Sequence, residues 1–157
     1  MWSTGLPLAI ISLEIFLNMA VFSIHPEKDP FEWQKKARED RQLAHALAHS
    51  VDFGSRYPSH ICFLCQQCIE KYLKALLVAA GYEPSRTHDL ENLLRECLLL
   101  CSTLAPFKDQ LGWLTPFAAE MRYPHEDSVP VADAKRGLKQ AEEVERIVQE
   151  FFAKHSV

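Results

Sequence analysis

From Pro30 to the C-terminus, apolar residues return at three- and four-residue steps. Trp33, Ala37, Ala44, Leu47 and Val51 share one face, with Asp40 in its midst, and predict a first helix of about five turns. Pro58 and Ser59 open a second helix running to about Ala80, where Gly81 supplies the stop. Thr87 or Asp89 can cap a third helix that continues through Leu100. Pro106 precedes a fourth, and Thr115 with Pro116 marks a restart within it. Asp127, Ser128 and Pro130 start the last helix. There Ala134, Leu138, Ala141, Val144, Val148 and Phe151 form a stripe opposite Lys135, Lys139, Glu142, Arg146 and Gln149. No alternating segment is long enough for a strand. The expected fold is all-α, an antiparallel up-and-down helical bundle of about five helices joined by short loops.

The first 24 residues break this pattern. The run MWSTGLPLAIISLEIFLNMAVFSI is strongly apolar, but it has no basic leading region and carries Glu14 and Asn18 within it. It is therefore a poor signal peptide and a poor spanning helix, since a central carboxylate costs about 2.5 to 3.5 kcal/mol on insertion. Three readings stay open: an upstream start-site assignment, with the working protein beginning near Met19; a flexible or packed extension; and membrane contact. The domain division is residues 1–24 as the extension and 25–157 as the bundle, with no membrane association expected of the bundle.

A chain of 157 residues is one domain, able to bury a core without disulfides or a structural metal. With 48% hydrophobic residues and a net charge of -4, it is neither a disordered chain nor a broad nucleic-acid surface. Five cysteines is an odd number, and all sit in apolar helical patterns. That usage suits free thiols in a reducing cytoplasm.

Three of those cysteines form the run CFLCQQC. On a continuous helix, Cys62 and Cys68 lie about 9 Å apart along the axis, so one ion cannot reach both and Cys65 as well. The run lacks glycine and continues without interruption into helical sequence, unlike the tight knuckles of metal-binding cysteine pairs. The thiols are expected in the core with Ile61, Ile69, Leu73 and Leu76. Gln66, Gln67, Glu70, Lys71 and Lys74 supply the polar side, read as a solvated face. Cys97 and Cys101 could in principle complete a site between helices, with core packing as the other reading. The chain has no phosphate-cradling glycine loop, no HExxH and no GxSxG, so the standard triphosphatase, metalloprotease and serine-hydrolase readings fall away. No cofactor and no metal are expected.

Two polar positions stand out before the third helix. His88, in Thr87-His88-Asp89-Leu90, is placed for a capping bond or for proton transfer. Arg86 is placed for a phosphate contact near that helix start, where backbone donors also favour anions.

The run CFLCQQCIEKYLKALLVAAGYEPSRTHDLENLL, followed at a distance by LTPFAAEMRYP, resembles the HEPN (higher eukaryotes and prokaryotes nucleotide-binding) domain family. The agreement lies in QQ-x-x-EK-x-LKALL, in the glycine turn leading to THDL, and in the RYP before the last helix. It covers roughly residues 31 to 152. The resemblance implies an all-helical up-and-down bundle, frequently a homodimer, often encoded beside a small nucleotidyltransferase with which it forms a toxin and antitoxin or other two-component system.

Many members of that family are metal-independent ribonucleases whose signature is an arginine followed after four to six residues by a histidine. Here the matching residues are Arg122 and His125, with only two residues between them, a departure from that spacing. Metal-free RNA cleavage needs a base, an acid and a cation for the phosphorane charge. Arg122 could supply the charge and His125 the proton transfer, provided that the loop and a symmetry-related partner bring both to one phosphate. The other reading makes Arg122 structural. A lone buried carboxylate is costly, so Asp40 needs a partner, either Arg122 or a hydroxyl at the helix edge. Tyr123, Trp113 and Phe117 are candidate pocket or interface anchors, the other reading being that they simply pack inside, as aromatics at helical spacing more often do. Two function classes follow. One is a cytoplasmic nucleotide- or RNA-associated binding module acting with a separately encoded minimal nucleotidyltransferase; the other is a ribonuclease toxin using Arg122 and His125.

Overall fold

A computed structural model describes residues 25–121 and 129–155. Five α-helices appear there: α1 (Pro30–Ala48), α2 (Pro58–Ala79), α3 (Leu90–Cys97), α4 (Phe117–Glu120) and α5 (Val131–His155). No strand occurs among the described residues.

The starts and stops have local causes. Asp29 caps α1 by accepting the Phe31 amide at 2.8 Å, and Pro30 occupies the first turn, where its missing donor is not needed. The helix ends at Ala48, so Val51 falls outside it and is exposed, contrary to its expected place on the apolar face. The turn after α1 is tight. A Cβ at Gly54 would sit 2.6 Å from the Ala48 carbonyl oxygen, which leaves glycine as the residue that fits. At the end of α2, Gly81 takes φ +80° while its amide donates to Val78 and the Tyr82 amide donates to Leu77. These two bonds satisfy helix-end carbonyls and turn the chain sharply back. Asp89 caps α3, accepting from Glu91 at 2.9 Å and Asn92 at 3.2 Å.

The stretch expected to form a regular fourth helix does not. Residues Ser102–Phe107 and Gly112–Leu114 are 3-10 turns, and α4 is only four residues long. Pro106 and Pro116 remove amide donors there, and the Glu91 carboxylate captures three others, accepting from Asp109 at 3.1 Å and from Leu111 and Gly112 at 2.9 Å. With its amides bound to a side chain, this segment follows α3 instead of an axis of its own.

Directions follow from the pairs in contact. Asp40 meets Lys71 and Trp33 lies beneath Lys74, so α1 and α2 are antiparallel. Phe31 meets Phe152 and Arg38 approaches Glu145, so α1 and α5 are antiparallel too. Hence α5 runs alongside α2 in the same sense, with Gly137 near Cys65 and Glu145 bonded to Tyr72. The leg between residues 80 and 121 carries the chain back, so that Leu114 lies beside Gly137.

Helix α2 is the centre of the bundle, touching α1, α3, α4 and α5. Between Ile61 and Val78 only Phe63, Gln67 and Lys71 escape full burial. Each large aliphatic side chain buried there contributes about 1.5 to 3 kcal/mol.

Candidate functional site

The encirclement of α2 overturns the expectation that its polar stripe faces water. Gln66, Glu70 and Lys74 recur every four residues on one side of the helix, and all three are buried, Glu70 at 5% and Lys74 at 7% exposure. Their polar groups are satisfied by one another and by the chain before α3. Gln66 Nε2 donates to Glu70 Oε2 at 2.8 Å and approaches the His88 carbonyl at 3.3 Å. Lys74 Nζ donates to Glu70 Oε1 at 2.8 Å. The His88 ring reaches the same carboxylate, with Nδ1 3.0 Å from Oε2; because a carboxylate only accepts, that nitrogen carries the proton. Burial by itself would push the Glu70 carboxyl up, but the hydrogen bonds from Lys74, Gln66 and His88 outweigh it and hold the group below its usual range. Glu70 is thus a fixed anion rather than a proton shuttle.

Lys74 links this array to a cleft of about 550 Å³. One wall is the 3-10 turn Pro26–Lys28, tied to α1 by the Trp33 indole, which donates to the Glu27 carbonyl at 2.8 Å. The floor is Trp33 with the C-terminal turn of α2, and the Lys74 ammonium stands 5.6 Å from the Trp33 ring centroid. The other wall is the chain redirected by Gly81, from Tyr82 to Arg86. Tyr82 is 61% exposed, so its ring is available to a ligand.

Two expected site residues come together here. Arg86 lines the cleft, and His88 lies two residues on, joined to it through Glu70 and Lys74. His88 does not cap α3; Asp89 does, while His88 ties the helix start to Glu70. Asp40 is half-buried and pairs with Lys71 of α2, a residue expected in solvent. Arg122, Tyr123 and His125 lie outside the described residues, and with them the proposed Asp40–Arg122 pair and the candidate catalytic dyad. Trp113 and Phe117 pack edge to face; the Trp113 indole donates to Gln140 at 3.0 Å and Arg136 stacks 4.6 Å from its ring.

The five cysteines are buried thiols. Desolvation pushes Cys62 and Cys97 up to about 12 and raises Cys65 and Cys68 further, so none of these four is a ready nucleophile. Among the described residues no three histidine, cysteine or carboxylate side chains converge as metal ligands. A second buried carboxylate, Glu145, serves packing of α1 and α5 against α2. It accepts from Tyr72 at 2.8 Å and Gln149 at 3.1 Å and pairs with Arg41. No helix among the described residues is long and apolar enough to cross a membrane.

Sequence reasoning named Arg86 and His88 but missed Trp33, Tyr82 and Lys28. Trp33 was absorbed into the apolar face of α1. The available signal was an aromatic and an arginine, Tyr82 and Arg86, set between a glycine stop and a helix cap, where loops carry exposed function.

Comparison with known protein families places the profile of the HEPN domain over residues 31–151. No curated protein and no solved structure matches the chain.

Proposed function

Because the chain belongs to the HEPN domain family, a nucleotide- and RNA-related group, we propose that it is a binding module for a nucleotide or RNA acting with a separately encoded minimal nucleotidyltransferase. The observation that carries this reading is the cleft between the N-terminal turns of α1 and the chain after α2. It joins aromatic surface from Trp33 and Tyr82 to the cations of Lys28, Lys74 and Arg86. That pairing is what a base and its phosphate require, stacking for one and charge-assisted bonds for the other. Its volume of about 550 Å³ is that of a small-molecule site.

The same surroundings favour binding over chemistry. The Glu70 carboxylate is held below its usual range by three donors, which weakens it as a base, and among the described residues no cysteine lines the cleft. The module works in the cytoplasm, where free thiols persist, and as a homodimer in keeping with the habit of its family. The test is calorimetric titration of the full chain with nucleotides and a short single-stranded RNA. Gel filtration alone and with a separately encoded minimal nucleotidyltransferase then reads the assembly. Binding of neither ligand class ends this reading.

A further inference from the structure

The charge around the cleft limits what it can hold. Lys28 and Glu27 line one wall, Arg86 and Glu83 the other, and Lys74 reaches in from α2. Lys74 is not a free cation, because its ammonium is committed to Glu70 at 2.8 Å and to the face of Trp33. With Glu70 included, three lysine and arginine side chains stand against three carboxylates among the described residues, and the His25 and His88 rings lie 3.1 and 3.0 Å from Glu27 and Glu70. The cleft is therefore near neutral, unlike the strongly cationic cradles that hold polyphosphates.

Among the described residues, Arg86 and Lys28 are the two lining cations without a buried carboxylate partner. Together they match a single phosphate monoester, which carries about -1.5 to -2 charge at neutral pH. Each further phosphate adds negative charge that would lie against Glu27 and Glu83, with Lys74 unable to turn away from Glu70 to compensate. The exposed ring of Tyr82 and the part of Trp33 that lines the cleft remain for the base.

Resting on the nucleotide-binding reading, we infer that the cleft selects a nucleoside monophosphate and discriminates against the corresponding triphosphate. The selection is electrostatic: acidic residues at the rim repel the β and γ phosphates, and a neutralised lysine at the floor withholds the charge that would hold them.

The experiment is titration of the full chain with AMP, GMP, ATP, GTP and a short single-stranded RNA, at low salt with a chelator so that no magnesium masks phosphate charge. Monophosphates are expected to bind at least about tenfold more tightly than triphosphates. Arg86→Gln is expected to weaken monophosphate binding about tenfold. The double variant Glu27→Gln with Glu83→Gln is expected to narrow the gap by strengthening triphosphate binding. All three side chains are exposed, so these variants keep the fold. Triphosphates binding as tightly as monophosphates overturn the inference, as does a gap that the double variant leaves unchanged. RNA binding without any nucleotide binding overturns it while the functional reading stands. Binding of nothing overturns both.

Discussion

Replacing Glu70 tests whether the buried polar array is a structural anchor of the cleft. Glu70→Ala removes the acceptor of Gln66 and His88 and leaves the Lys74 ammonium, 7% exposed, without its anion. Breaking a buried pair from one side costs about 3 to 5 kcal/mol, a large part of the 5 to 15 kcal/mol that holds a typical domain together. Glu70→Gln keeps the volume and one acceptor oxygen and should cost about 1 to 3 kcal/mol. Removing both charges together, as Glu70→Gln with Lys74→Met, should cost less than the sum of the single changes, because no ion is then stranded. Urea unfolding followed by far-ultraviolet circular dichroism reads these numbers; with a slope of about 2 kcal/mol per molar, the alanine variant's midpoint falls by roughly 1.5 to 2.5 M.

The pH dependence provides a separate check. The folded carboxyl is held below its ordinary value of 4.5. Its contribution is therefore fully present above that value and lost as pH falls through the lower folded one. The stability gap between the parent and Glu70→Gln should shrink on acidification below about 4.5. A midpoint shift under about 0.5 M for Glu70→Ala, or a gap that stays constant into strong acid, would refute the argument.

Four further outcomes are expected. Gly81→Ala should destabilise by about 1 to 2 kcal/mol, since φ is +80° and no neighbour lies within 4 Å of the added methyl; an unchanged melting temperature would contradict the backbone explanation. Gly137→Ala should stabilise by up to about 1 kcal/mol, because its Cβ would make ordinary contacts 3.5 Å from Cys65 and Leu114 inside a helix; a loss in the same unfolding assay rejects that packing. Ellman's reagent should leave all five cysteines unmodified in the folded protein and titrate all five in denaturant, whereas rapid native reaction would disprove their burial. Glu91→Ala strips three amides of their acceptor and should cost about 2 to 3 kcal/mol, with proteolysis appearing first between residues 108 and 112.

The long helices were legible because their causes are local. Pro30 and Pro58 open helices, Gly81 closes one, and the spacing of Ala134, Leu138, Ala141, Val144 and Val148 draws the buried face of α5 directly. The motifs of α2 and of the turn leading to THDL pointed to the family that the whole-domain match established. The leg from Ser102 to Glu120 was misread because its apolar residues suit a helix, while the groups that break it come partly from elsewhere. Glu91 lies about twenty residues before the amides it captures, and periodicity within a window cannot register that competition.

The candidate site was visible only in fragments. Arg86 and His88 drew notice as polar residues at a helix start, but Lys74 and Glu70 read as a solvated stripe, and Trp33 read as core. A helical pattern states which residues share a face and says nothing about whether a polar face meets water or another segment. The sequence by itself determined the all-α class, the placing of the three long helices, the burial of the thiols and the kinship. Tertiary structure alone decided that the Gln66, Glu70 and Lys74 side of α2 is covered, that Asp40 pairs with Lys71, and that Trp33, Lys74, Tyr82 and Arg86 meet around one cleft. The physical reason is that periodicity records each helix's own preference for burial, whereas a cleft forms where separate segments meet, and its charge balance belongs to none of them alone.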